Sequence, residues 1–235
     1  LLPLAWQHGK LEFEVACIVA LITLNIRGVK ESVKTLLPIF LLFLATHVVL
    51  LVGGILGHLT ALPETAARAA GDFRAALAAP GFGAGAMALL FLHAYSLGGG
   101  TYTGLEAVSN GMPIMQEPRV RNGKRTMLYM SLSLALTAAG LLVCYLLWDV
   151  SAIEGKTLNA VLVEKLAAGI PFGGAFVIAT LVSEGSLLVV GAQAGFIDGP
   201  RVLANMAVDS WVPHRFAALS ERLTTHNGIV LMGLA

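Results

Sequence analysis

In this chain of 235 residues 57% are hydrophobic and 12% are charged, and the mean hydropathy is +0.80, a balance that one soluble core could not bury, since soluble chains carry about a quarter charged residues. Lys and Arg number 15 against 14 Asp and Glu, and the resulting net charge of +1 argues against nucleic acid as a partner. Cys17 and Cys144 lie in apolar runs and are too few for a disulfide framework or a metal site, so they count as small hydrophobes and neither metal nor cofactor is expected.

In chain order, the first apolar run covers residues 11–26 and closes at Arg27-Gly28. The second, 36–56, carries Thr46 and His47 near its middle. Residues 59–80 are rich in Ala and contain Arg68, Asp72 and Arg74, which suits a short helix on the membrane surface or, equally, a solvated linker. The third run, 84–115, is interrupted by Gly98-Gly99-Gly100-Thr101-Tyr102-Thr103-Gly104. Three successive glycines cost about 1 kcal/mol each in a helix interior, which predicts a span broken near 98–104. The fourth run is 127–148, and the fifth, 170–197, holds Glu184 near its middle and closes at Asp198-Gly199-Pro200-Arg201. A last run, 228–235, is far shorter than the roughly 20 residues a span requires. It is expected to be a truncated span, and the chain a piece of a longer protein.

Short cytoplasmic loops collect Lys and Arg, so alternate connections can be compared. One set holds Arg27, Lys30, Lys34, Arg119, Arg121, Lys124, Arg125, Arg201, Arg215 and Arg222; the other holds only Lys10, Arg68, Arg74, Lys156 and Lys165. That asymmetry favours five spans with the 119–125 connection inside the cell and 59–80 outside.

The break is the feature with the most chemistry. Unpaired backbone at membrane depth is tolerated only inside protein or beside a wet cavity. A half-helix ending near Gly98 offers carbonyls to a cation, a second beginning near Thr103 offers N–H groups to an anion, and Thr101, Tyr102 and Thr103 add hydroxyls. The expected solute or ion site is therefore Gly98, Gly99, Gly100, Thr101, Tyr102, Thr103 and Glu106; a flexible glycine hinge is the plainer alternative. Glu106 stands three positions after Thr103, so it either closes a capping box or pairs with the cargo or a proton. Glu184 and His47 are candidates for proton coupling, with a buried structural hydrogen bond as the plainer role for each. Asp198 and Arg201 suit a structural or gating pair. No spacing of Ser, His and Asp suggests a nucleophile and its base, and no Lys-Ser or Lys-Thr follows the glycines as a phosphate loop requires, so no enzyme is expected.

Three segments together resemble the amino acid-polyamine-organocation (APC) transporter superfamily: NIRGVKES at 25–32, TGLEAVSNGMP at 103–113 followed by Glu117-Pro118, and FIDGPR at 196–201 leading to Asp209 and Pro213. Their order covers nearly the whole chain, and the wording is most similar to the bacterial Kim-type proton-coupled potassium importers. The resemblance implies an all-α LeuT-like fold, with this chain holding about helices four to eight and the start of nine, and the broken span as the sixth. It places Thr103 and Glu106 in the ion pathway. The expectation is a multi-pass symporter of the cytoplasmic membrane working by alternating access, with protons as the coupling ion and potassium or an amino acid as substrate. A homodimer is allowed for. A channel or a membrane-embedded receptor is the rival reading.

Overall fold

An apolar run in lipid finds no water for its N–H and C=O groups, so it must bond them within itself, and a helix is the local way to do so. The computed structural model describes residues 9–99, 108–109, 111–220 and 225–234, which contain helices and no strand. In order these are α1 (Lys10–Arg27), α2 (Val29–Gly57), a 3-10 turn at Leu59–Ala61, α3 (Leu62–Ala78) and α4 (Gly83–Gly98). A 3-10 turn at Met112–Ile114 precedes α5 (Arg119–Leu147), α6 (Leu158–Ala167) and α7 (Gly173–Val208); a last 3-10 turn at His214–Phe216 leads to α8 (His226–Leu234). Among the described residues three stretches are long and apolar enough to cross a membrane: Lys34–Gly57 within α2, Arg119–Leu147 and Gly173–Val208. The segments Leu59–Ala78 and Gly83–Gly98 are long and apolar enough to cross only when taken together, and are bent by 119°. Residues 62–78 are thus helical rather than a linker.

The helices outrun the apolar sequence. Basic residues 119–125, read from sequence as a connection, form the first turns of α5, where Glu117 accepts the Arg119 N–H at 3.2 Å and places a carboxylate at the positive end of the helix. Pro200 does not end α7, which continues to Val208. Pro38 likewise lies inside α2, where it has no N–H to give the Lys34 carbonyl. Between α1 and α2 stands one residue, Gly28, at φ 132 and ψ 146, a backbone conformation open to glycine. Its N–H reaches the Asn25 carbonyl and its own carbonyl accepts from Ser32, each at 3.1 Å, so α1 ends and α2 begins on the same residue.

The chain divides into two compact units: Leu1–Val48, Glu154–Thr157 and Ile170–Ala235 form one, and Val49–Ile153 with Leu158–Gly169 the other. In the first, Leu21, Leu36, Phe196 and Ile229 form a buried core that Ile22, Ile26, Ile39, Val189, Val190 and Met232 pack against. Here α8 approaches α7 closely: a Cβ on Gly228 would stand 2.9 Å from the Pro200 Cβ and 3.0 Å from its Cα. Small residues at such crossings let membrane helices gain dispersion contacts where no hydrophobic drive exists. The second unit repeats the device between the end of α2 and α5, where a Cβ on Gly54 would meet the Cys144 Sγ at 2.8 Å. The Trp148 indole donates to the Gly54 carbonyl at 2.9 Å, and its ring centroid lies 4.1 Å from that of His58 with the planes tilted by 56°. Lys165 of α6 donates to the Trp148 and Asp149 carbonyls, at 2.9 and 2.7 Å, closing the end of α5.

Candidate functional site

Polar side chains inside a span must satisfy one another. On α7 the buried residues Gly173, Thr180, Ser183, Gln193, Phe196, Pro200 and Ala207 recur at helical spacing and make one stripe. Facing that stripe within the first unit are Asn25 of α1 and Thr46 and His47 of α2, all buried. Asn25 and Gln193 exchange hydrogen bonds both ways: the Asn25 amide donates to Gln193 Oε1 at 2.8 Å and the Gln193 amide donates to Asn25 Oδ1 at 2.7 Å. The second Asn25 hydrogen reaches the Leu21 carbonyl at 2.8 Å. Thr46 and Ser183 hydroxyls stand 3.2 Å apart; Ser183 also donates to the Thr180 carbonyl at 2.7 Å, and Thr46 to the Phe43 carbonyl at 3.0 Å.

Beside the hydroxyl pair lies the charged part of the seam. His47 Nδ1 is 3.0 Å from the Phe43 carbonyl, and its ring centroid is 3.8 Å from that of Phe43. A carbonyl can only accept, so Nδ1 carries the hydrogen and Nε2 is the variable nitrogen. His47 Nε2 is 3.3 Å from Glu184 Oε1, with the two side chains 4% and 20% exposed. The contact makes no hydrogen bond, and Oε1 is buried without a hydrogen-bond donor among the described residues. A buried acceptor left bare costs about 1–3 kcal/mol, so this atom stores a demand for a proton.

The structure thus brings together two residues singled out separately in the sequence, His47 and Glu184, and adds Thr46, Thr180, Ser183, Asn25 and Gln193. Of the residues assigned to the broken span, Gly98 ends α4 and Gly99 follows it. A Cβ on either would meet no described atom within 4 Å. Gly100, Thr101, Tyr102, Thr103 and Glu106 lie outside the described residues. Asp198 and Arg201 stand half-buried one turn apart on α7.

The family model described as amino acid permease matches residues 9–234. Over 218 residues the chain is 29% identical to the potassium transporter KimA of Bacillus subtilis (strain 168), a match that covers 93% of this chain and 34% of that protein. The chain therefore spans about a third of the length of the curated relative it matches. No solved structure matches it.

Proposed function

The chain belongs to the amino acid permease family, a family of transporters, and from that premise we propose that it works in a secondary transporter that carries potassium across the cytoplasmic membrane by alternating access, with protons as the coupling ion. The observation that carries the substrate is the likeness, along nearly the whole chain, to a protein named as a potassium transporter. The end of α4 supports it: α4 stops at Gly98, and the last carbonyls of a helix carry partial negative charge that suits a cation. The cargo is placed at Gly98 to Glu106. There backbone carbonyls and the hydroxyls of Thr101, Tyr102 and Thr103 replace its water, and Glu106 offsets its charge.

Labelled rubidium uptake by the full-length protein, in cells that lack their own potassium importers, tests this reading. Uptake well above the empty-vector level is expected, and Glu106→Gln should return it to that level while the protein still inserts. Normal uptake by the variant at normal expression removes Glu106 from the site. The family model favours a second reading, amino acid transport; labelled amino acids taken up in place of rubidium would establish that one instead.

A further inference from the structure

We propose that His47 and Glu184 form a site for one proton, shared between Nε2 and Oε1, and that this is the proton whose movement drives transport; the second half rests on the function proposed above. The argument is one of hydrogen atoms. His47 Nδ1 gives its hydrogen to the Phe43 carbonyl, so a neutral ring turns a lone pair at Nε2 toward Glu184. An ionised Glu184 answers with lone pairs of its own, at 3.3 Å and with no donor on Oε1 among the described residues. Two facing lone pairs repel. One added proton removes the repulsion in either of two forms, imidazolium against carboxylate or imidazole against carboxylic acid, which differ only in the atom that holds it.

Among the described residues no further charged side chain pairs with His47 or Glu184. On α2 the nearest described titratable residue is Lys34, thirteen positions or about 20 Å along the axis, and on α7 it is Asp198, fourteen positions or about 21 Å away. From the elements packed on α7, α1 brings Lys10, Glu12, Glu14, Cys17 and Arg27, the 3-10 turn brings His214 and Arg215, and α8 brings His226. The neighbours that do touch the pair are neutral: Phe43 and Thr46, with Ser183 next to Thr46. The site also bridges two helices, so gaining or losing its proton changes the attraction between α2 and α7 across one contact.

Glu184→Gln is the informative variant, because its amide has the shape of the protonated acid and offers an N–H to the Nε2 lone pair. Nitrogen-15 spectra of histidine-labelled full-length protein, with His47 assigned by its loss in His47→Gln, should display Nδ1 carrying its hydrogen throughout and an Nε2 signal that moves when acidification loads the site. In Glu184→Gln that Nε2 response should be lost. An unchanged response in the variant, or an Nδ1 that carries the lone pair, overturns the site. In liposomes held at zero membrane potential, one proton per ion predicts about tenfold rubidium accumulation for each unit of pH gradient. Accumulation should fall to about onefold in Glu184→Gln and His47→Gln, and tenfold accumulation in both overturns the coupling role. A parent protein that takes up neither rubidium nor amino acids overturns the proposed function, and the nitrogen signals still decide the site.

Discussion

Asn25 and Gln193 present the clearest energetic case among single residues. Each amide has a donor and an acceptor, and each finds both in the other, 168 positions away in sequence. Hydrogen bonds between membrane helices are worth about 0.6 kcal/mol on average and about 1.7 at most, because the unfolded chain in lipid also finds partners. Removing one partner is worse than removing both, since a stranded buried amide costs about 1–3 kcal/mol. Asn25→Leu should therefore lower the melting temperature of the full-length protein in detergent more than Asn25→Leu combined with Gln193→Leu, and equal losses would deny the pairing. Sequence pointed to His47 and Glu184 one at a time, as titratable groups in apolar runs. It could not pair them, because helical periodicity says which face of its own helix a residue occupies and nothing about the residue opposite. Asn25, Thr46, Ser183 and Gln193 carry no assigned role in the sequence for a related reason: neutral polar side chains are common in spans, and only a partner across the contact distinguishes them.

Among the elements, the crossing of α7 and α8 depends on the absence of a side chain. A methyl on Gly228 would press on the Cβ and the backbone Cα of Pro200, neither of which can rotate away, and such overpacking costs about 1–3 kcal/mol. Gly191 of α7 makes the contrast, since a Cβ there meets no described atom within 4 Å and alanine is the better helix former by about 1 kcal/mol. Gly228→Ala should lower the melting temperature and Gly191→Ala should leave it unchanged or raise it; tolerance of the first would mean the helices are not in contact there. The all-helical class was legible from composition and run length alone. Helix ends were not, because hydropathy marks where lipid surrounds the chain, while intrahelical hydrogen bonds continue into the polar interface. Arg119 to Arg125 and the turns after Pro200 are helical for that reason. Gly98 was read as the end of a half-helix, and α4 does end there, but the groups expected to hold the cargo, Thr101 to Glu106, fall outside the described residues.

For the molecule as a whole, the three long apolar helices and the family place it in a membrane as a multi-pass protein. It should stay in the membrane fraction through alkaline carbonate washing. The distribution of basic residues predicts the orientation: in a variant lacking Cys17 and Cys144, a cysteine at Asn122 should react with an impermeant maleimide only after the cytoplasmic side is opened, and one at Asp72 should react from outside. The reverse pattern would invert the topology. Gly28 bears on how such a protein moves. A single residue separates α1 from α2, and Leu21 and Leu36 on its two sides meet in the same core. The joint has one pair of backbone angles to turn and no slack to stretch, so it acts as an elbow rather than a tether. A pull on α2 would be levered directly onto α1, and a substitution that stiffens or jams this elbow should slow both helices at once.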